Sequence, residues 1–240
     1  MNIQGTTAFV TGANRGIGRA LVEALLQRGA SKVYAAARQL GSLDGVVALD
    51  PQRVVAVELD VTNADQVAAA AQQAGDVDLL INNAGKLDFG GVLEADLDSL
   101  AGQLDVNLYG LLRVTRAFQP ALTQATGGVV NLLSVVSLAP MPGIGHYSAS
   151  KAIAHSVTES MRADFTESGV SVFGVFPGPV DTDMAKDVPM DKTAPEDVAR
   201  DILSGIEADQ HDIFPDPFAE QVQAGWAADP KAVAAQFAGA

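Results

Sequence analysis

A regular alternation of short apolar runs with longer amphipathic stretches most constrains the fold of this chain. Apolar runs bounded by turn residues occur at 6–11, 32–37, 53–58, 78–82, 128–134 and 170–176, and such runs are typical of buried strands. Stretches long enough for crossover helices lie between them, at 17–29, 63–74, 97–122 and 147–168. This β-α-β-α order predicts an α/β fold, with a doubly wound parallel sheet of about seven strands and helices on both faces.

Length and composition favour a single folded domain. The 240 residues are 48% hydrophobic and 18% charged, which supplies enough apolar surface for a core. The sequence has no internal repeat, no low-complexity linker and no second block of strands after residue 176. We therefore expect residues 1–240 to form one domain, with a proline-rich substrate loop at about 178–195.

The charge balance excludes several classes of partner. The chain carries 29 Asp and Glu against 15 Lys and Arg, a formal charge of −14, which repels nucleic acid and anionic membrane surfaces.

The absence of cysteine excludes disulfides, thiolate metal sites and thiol catalysis. The acidic residues form no recognisable metal-binding pattern, so we expect no metal. The N-terminus resembles no secretory signal and no apolar run reaches eighteen residues, so we expect a soluble, cytoplasmic protein.

A glycine-rich turn follows the first predicted strand. Gly12, Gly16 and Gly18 stand in the sequence TGANRGIG, just before an amphipathic stretch. Glycines at a strand-to-helix turn let the backbone approach a pyrophosphate, which then lies at the helix N-terminus. The second predicted strand ends at Ala37 rather than at the acid that bonds the ribose of NAD, and Arg38 follows. Because Arg15 and Arg38 can hold a 2′-phosphate together, we predict NADP(H).

Tyr147 and Lys151 stand four residues apart at the start of a predicted helix, so they share one face. A nearby ammonium lowers the pKa of a phenol, which would suit Tyr147 to proton transfer. Ser134 ends a predicted strand thirteen residues earlier and can hydrogen-bond the same substrate oxygen.

With these motifs in order, the chain resembles the short-chain dehydrogenase/reductase family from residue 6 to about 182. The resemblance rests on TGANRGIG at 11–18, Asp60-Val61, Asn82-Asn83-Ala84-Gly85, Asn107 in DVNLYG, Ser134, Tyr147-Ser-Ala-Ser-Lys151 and Pro177-Gly-Pro-Val-Asp-Thr182. It implies a Rossmann-like domain and an NADP(H)-dependent oxidoreductase. It also implies a homodimer or homotetramer, formed through the helices at 97–122 and 147–168.

The resemblance also implies roles for individual residues. Tyr147 would be the general acid or base, Lys151 would hold the nicotinamide ribose, Ser134 would orient the carbonyl and Asn107 would complete a proton relay through Lys151. Asp60 would contact the adenine amino group, and Val180 and Thr182 would fix the carboxamide. The full cofactor-binding set is Gly12, Asn14, Arg15, Gly16, Ile17, Gly18, Arg38, Asp60, Val61, Asn83, Ala84, Gly85, Tyr147, Lys151, Pro177, Gly178, Val180 and Thr182.

Apolar residues near these motifs favour a moderately hydrophobic ketone or aldehyde, or the matching alcohol, as substrate. The candidates for the pocket wall are Phe89, Val135, Val136, Met141, Ile144 and Met184. We expect the C-terminal segment 218–240 to cover either the cleft or a subunit interface. His146 is a candidate substrate contact or supporting group, and no function is assigned to His155 or His211. The ten acids between 187 and 220 are interpreted as a solvated surface.

Two other functions remain as alternatives. A 3-oxoacyl-(acyl-carrier-protein) reductase would need a basic patch to receive an acidic carrier, and the charge of −14 disfavours that role. A non-catalytic NADP(H)-sensing protein would keep the fold without turnover, but such a protein would not need both Tyr147 and Lys151.

Overall fold

One parallel sheet forms the centre of the molecule. The structure is a computed structural model and describes residues 1–239. Its strands are β1 (Thr7–Thr11), β2 (Lys32–Ala37), β3 (Val54–Glu58), β4 (Leu79–Asn82), β5 (Gly128–Leu132), β6 (Ser171–Val175) and β7 (Asp212–Ile213). All six pairings are parallel, in the order β3-β2-β1-β4-β5-β6-β7. The predicted doubly wound, Rossmann-like sheet is confirmed.

Nine α-helices are present in residues 1–239. They are α1 (Gly16–Gln27), α2 (Asp44–Val47), α3 (Ala64–Gln73), α4 (Leu97–Leu104), α5 (Leu111–Ala125), α6 (Gly145–Asp164), α7 (Pro195–Glu207), α8 (Pro217–Ala228) and α9 (Pro230–Ala238). The single helix expected at 97–122 is interrupted by a π-helical turn at Asp105–Gly110. None of these helices is long and apolar enough to span a membrane.

Alternate side chains of each strand enter opposite layers, as the two-residue period of a strand requires. In β1, Ala8 and Val10 pack in the layer beneath α1 and α7. Phe9 points to the other layer, where it contacts Phe118 of α5 at 4.6 Å between ring centroids. Because both faces are covered, the central strands are buried throughout.

A third apolar cluster lies beyond the two layers, where the C-terminal helices pack on the end of the sheet. Val222 of α8 and Val233 of α9 are buried there beside Phe176, which follows β6. Tyr147 of α6 and Trp226 of α8 pack against the same cluster. The C-terminal segment therefore lies on the side of the molecule that carries Tyr147.

The chain reverses direction across the sheet between β1 and β4, because β2 and β3 lie on one side and β5 to β7 on the other. At such a switch point the loops after neighbouring strands separate and leave a crevice at the carboxyl ends of the strands. The glycine turn after β1 and the Asn83–Gly85 segment after β4 form the two sides of this crevice.

Candidate active site

A cleft of about 1170 Å³ lies along the carboxyl ends of the strands. Every predicted cofactor-binding residue lines it, and so do Ser134 and the six candidate pocket-wall residues. Asn107 is the one predicted catalytic residue that does not line the cleft. Lys86 also lines it, and so does Phe218 of α8, the first residue of the C-terminal segment expected to cover the cleft or an interface.

The glycine turn brings backbone close to the cleft. Gly12 has a positive φ of 63°, a conformation that side chains disfavour. A Cβ atom on Gly18 would collide with the Gly12 carbonyl oxygen and would lie 2.5 Å from Asn83 Nδ2. The turn leads directly into α1, which begins at Gly16. The turn therefore has the form of a cradle for a pyrophosphate at a helix N-terminus.

Both arginines predicted for the 2′-phosphate are exposed and line the end of the cleft that the sequence predicts to hold the adenosine, called the adenosine end below. Arg38 follows β2 directly, and no acid occupies the end of that strand. Arg15 forms an ion pair with Asp183 of the predicted substrate loop, with 3.1 Å between Nη1 and Oδ2. Because these side chains are 67% and 73% exposed, the pair is weak and can exchange for another anion.

Asp60 follows β3 and lines the adenosine end of the cleft. Its Oδ1 accepts hydrogen bonds from the backbone N–H of Thr62 at 2.9 Å and from the Thr62 hydroxyl at 2.7 Å. Partial burial raises the pKa of this carboxyl, but the two Thr62 bonds and the charge of Arg38 outweigh burial and lower the pKa overall. Asp60 is therefore held ionised and fixed in direction.

The Asn83–Gly85 segment is anchored to the end of β1. The Thr11 hydroxyl oxygen accepts from the backbone N–H groups of Asn83 and Ala84, both at 2.9 Å. The Asn83 side chain donates to the carbonyl oxygens of Thr11 at 2.8 Å and Gly12 at 3.0 Å. These bonds cross the switch point and set the width of the cleft there.

Ser134, Tyr147 and Lys151 lie together at the other end of the cleft. Ser134 is the second residue after β5, and its side chain is near enough to Tyr147 to act on the pKa of that tyrosine. Lys151 is 5% exposed, and its Nζ donates to the Leu132 carbonyl oxygen at 2.6 Å. The same Nζ lies 5.7 Å from the centre of the Tyr147 ring.

The predicted lowering of the Tyr147 pKa by Lys151 is not found. Burial raises the pKa of Tyr147 to about 12, against a smaller lowering by the hydrogen bond with Ser134. Burial also lowers the pKa of Lys151 to about 8. Burial removes both side chains from water and therefore determines both pKa values. The four-residue spacing of Tyr147 and Lys151 does not produce the expected lowering of the Tyr147 pKa.

Asn107 lies in the π-helical turn between α4 and α5 and is 2% exposed. Its Oδ1 accepts from the backbone N–H of Lys86 at 2.8 Å, and its Nδ2 donates to the Lys86 carbonyl oxygen at 2.8 Å and to the Ser150 hydroxyl at 2.9 Å. Asn107 thus joins the cleft wall after β4 to α6, one residue from Lys151.

The three histidines lie outside this arrangement. His146 is buried beside Tyr147 but does not line the cleft, so it is not a substrate contact in this geometry. His155 stacks edge-on against Phe176, and His211 stacks on Phe173. Among residues 1–239 no group of three or more His, Asp or Glu side chains is placed to hold a metal ion.

The interpretation of residues 187–220 as a solvated acidic surface is wrong at one position. Asp216 is 3% exposed and accepts backbone hydrogen bonds from Gly178 and Ala219, each at 2.8 Å. The sequence does contain a local sign of this role, because Asp216 precedes Pro217 and an aspartate before proline is a common helix start.

Comparison with known proteins identifies the family of the chain. The family model for short chain dehydrogenases matches residues 6–193. An uncharacterized oxidoreductase of Staphylococcus aureus strain USA300 is 33% identical over 213 residues, which cover 85% of this chain and 92% of that protein.

Two solved structures bear on the cofactor. A short-chain dehydrogenase from Burkholderia cenocepacia J2315, in complex with NADP, is 42% identical, with a TM-score of 0.93 over 99% of each chain. A short-chain dehydrogenase/reductase from Burkholderia phymatum, in complex with NAD, is 28% identical, with a TM-score of 0.84 over 93% of each chain. The chain belongs to the short-chain dehydrogenase/reductase family and is an oxidoreductase that binds NAD(P).

Proposed function

We propose that this protein is an NADP(H)-dependent carbonyl reductase or alcohol dehydrogenase for a moderately hydrophobic substrate. One observation carries the proposal: a single cleft holds Ser134, Tyr147 and Lys151 at one end and two exposed arginines at the other. The residue at the end of β2, Ala37, is not an acid. The first end suits proton transfer to a carbonyl oxygen. The second end suits a cofactor that carries a 2′-phosphate.

In the reductive direction, bound NADPH supplies the hydride that adds to the carbonyl carbon. The Ser134 hydroxyl, which donates to the Pro177 carbonyl oxygen at 3.4 Å, exchanges this long bond for one to the substrate carbonyl oxygen and thereby orients it. The Tyr147 hydroxyl gives its proton to the same oxygen, so the carbonyl becomes an alcohol and Tyr147 becomes a phenolate. In the oxidative direction, the phenolate accepts the proton.

Lys151 and Asn107 act behind Tyr147. The bond from Lys151 Nζ to the Leu132 carbonyl oxygen fixes the position of the buried ammonium beside the Tyr147 ring. With a pKa of about 8, Lys151 can also release and regain a proton near neutral pH and return one to Tyr147. Asn107 supports this end of the relay through its bonds to Lys86 and Ser150.

The apolar lining supports the substrate class. Met141, Ile144 and Phe218 pack in the cluster that contains Tyr147, and all three line the cleft. A pocket with this lining favours an apolar ketone over a sugar. We assign the loop 178–195 to the substrate end and infer that residues 218–239 of the C-terminal segment cover the cleft rather than a subunit interface; residue 240 lies outside the described residues. Phe218 and Trp226 in the same cluster support this choice.

We also propose that the protein is a homodimer or homotetramer. The helices implied by the family resemblance expose large apolar side chains: Leu97 is 74% exposed, Tyr109 50% and Ile153 43%. Burying these side chains against a symmetry mate would be favourable. Light scattering during size-exclusion chromatography measures the mass, and a monomer at micromolar concentration contradicts this proposal.

Absorbance of the reduced cofactor gives the first test of activity. The purified protein is mixed with NADPH, and separately with NADH, against small aliphatic aldehydes, aryl ketones, diketones and steroids. We expect consumption of NADPH with bulky apolar ketones and much slower consumption of NADH. Preference for NADH contradicts the assignment of the two arginines. Tight NADPH binding without turnover of any carbonyl compound would favour the cofactor-sensing alternative.

A further inference from the structure

Asp216 is a buried carboxylate that the proposed chemistry leaves without a role. It is 3% exposed and lies at the N-cap of α8. Its Oδ1 accepts from the backbone N–H of Ala219 at 2.8 Å, which is the ordinary capping bond. Its Oδ2 accepts from the backbone N–H of Gly178 at 2.8 Å, across 38 residues of sequence. Capping α8 requires only the first of these bonds.

The peptide unit that Asp216 holds, Pro177–Gly178, is also hydrogen-bonded to Ser134 and Val135 at the substrate end of the cleft. The Pro177 carbonyl oxygen, on the other side of the same peptide plane, accepts from the backbone N–H of Val135 at 3.1 Å and from the Ser134 hydroxyl at 3.4 Å. A peptide whose N–H is bonded to a carboxylate is polarised, and its carbonyl becomes a better acceptor. Asp216 is therefore connected to Ser134 through one rigid peptide.

The contact between Gly178 and α8 is too close for any side chain at residue 178. A Cβ atom there would lie 2.8 Å from Asp216 Oδ1 and 2.8 Å from Phe218 Cδ1. Gly178 begins the loop that carries Val180 and Thr182, and Phe218 lines the substrate end of the cleft. The Asp216 bond to Gly178 therefore fixes the distance between α8 and the start of the loop at Gly178.

We infer that Asp216 is a positioning residue that holds the Pro177–Gly178 peptide and thereby sets both the direction of Ser134 and the start of the loop bearing Val180 and Thr182. Asp216 itself does not line the cleft. The inference rests on the proposed function, because it assigns the effect of Asp216 to the NADP(H) and carbonyl sites. A simple structural role, the capping of α8, makes different predictions for conservative variants.

Asn, Asp and Ser are nearly equivalent as N-cap residues. Asp216→Ser keeps the capping oxygen, but its side chain is one atom shorter and has a single oxygen, so it loses the bond to Gly178. Asp216→Asn keeps the size, yet its NH2 group must face one of the two N–H donors. The matched controls are Asp229→Ser and Asp229→Asn, because Asp229 caps α9 through Lys231 and Ala232 and is exposed.

The experiment measures kcat and KM on the full-length protein, together with the NADPH dissociation constant from Trp226 fluorescence, since Trp226 is the single tryptophan. For both Asp216 variants we expect the KM and Kd for NADPH to rise about fivefold or more and kcat to fall about tenfold, the scale of losing a buried charge-assisted bond. The Asp229 variants should stay within twofold of the wild type. Asp216 variants that match the Asp229 variants overturn the inference.

Hydrogen exchange of the Gly178 amide supplies a measurement that needs neither turnover nor a variant. In the wild type this amide should exchange slowly and with the same opening free energy as the Ala219 amide, because one side chain holds both. Fast exchange at Gly178 overturns the inference even if the variants do not fold. If the wild type reduces no carbonyl compound, the proposed function fails, whereas NADPH binding and Gly178 exchange still test Asp216.

Discussion

The two ends of the cleft are built by different means. At the adenosine end, each contributing residue stands just after a strand: Gly12 after β1, Arg38 after β2, Asp60 after β3 and Asn83 after β4. At the substrate end, segments far apart in sequence meet through tertiary packing, as the bond from Gly178 to Asp216 illustrates. Strand ends and turn glycines fix the first end, whereas the second end depends on how the C-terminal helices pack.

The two ends also differ in their exposure to solvent. Arg15 and Arg38 are exposed, so their charges are screened and their partners exchangeable. Lys151 is buried, and desolvation raises the pKa of Tyr147 and lowers that of Lys151. A single substitution should therefore have large effects at the catalytic end and graded effects at the adenosine end.

The largest expected effect is that of Tyr147→Phe, which removes the proton donor and keeps the ring. Positioned acid–base groups contribute about 10²- to 10⁴-fold, so kcat should fall by at least about 100-fold. The NADPH dissociation constant should stay within about twofold. Steady-state kinetics and fluorescence titration measure the two quantities. Tyr34→Phe, a tyrosine of β2 that does not line the cleft, is the control. An active Tyr147→Phe enzyme would remove the distinction between the two ends.

A second test uses the buried charge of Lys151. Its pKa is about 8 in the folded protein and 10.5 for an ordinary lysine, so the unfolded chain binds more protons between these pH values. The free energy of unfolding should therefore rise with pH in this window. Relative to Lys151→Met, the wild type should gain about 2 kcal/mol between pH 7 and pH 10. Urea unfolding at several pH values measures the difference.

Lys32→Met is the control for this pH dependence. The hydrogen bond to Asp76 raises the pKa of Lys32, so the stability it contributes is present below pH 10.5 and is lost as pH rises through the folded-state pKa. The wild type should show no gain over Lys32→Met between pH 7 and pH 10. Equal slopes for the two lysine variants would mean that Lys151 is not desolvated.

At the adenosine end, Arg38→Asp should reverse the charge offered to the 2′-phosphate. We expect the preference for NADPH over NADH, as a ratio of kcat/KM values, to fall about 10- to 100-fold, the scale of a lost charge-assisted bond. The kcat with saturating cofactor should change little. Arg200→Asp on α7 makes the same change of charge outside the cleft and should leave the ratio unaltered. An unchanged ratio in Arg38→Asp shows that Arg38 does not select the cofactor.

The smallest effect is expected for Asp183→Asn, which releases Arg15 from its exposed ion pair. Because such pairs contribute little, NADPH binding should tighten only about twofold, and NADH binding should not change. Asp187→Asn, in the same loop and also lining the cleft, controls for the general loss of negative charge. Fluorescence titrations at low and high salt measure the effect, and an effect equal to that of Asp187→Asn would mean that the pair does not compete with the cofactor.

The sequence predicted the sheet and the cleft lining because both depend on local patterns. The apolar run at 32–37 coincides with β2, and every predicted cofactor residue lines the cleft. Strand β7 has only two residues, Asp212 and Ile213, too few to show a periodicity. Asp216 stands in an acidic stretch, and its burial depends on a contact with Gly178 that no local pattern encodes. The raised pKa of Tyr147 results from desolvation, which the spacing of residues in the sequence does not reveal.

The π-helical turn at Asp105–Gly110 contains one residue more than a continuous α-helix would need. Such a turn holds one more residue than an α-helical turn, so a single deletion inside it would leave α4 and α5 in phase with each other. A deletion within α5 would instead turn the helix beyond it by about 100°, moving Phe118 and Leu122 off the sheet. The shortened turn would fold but would displace Asn107 from Lys86 and Ser150. The fold therefore tolerates a π-helical turn that is one residue shorter, whereas the active site requires its present length.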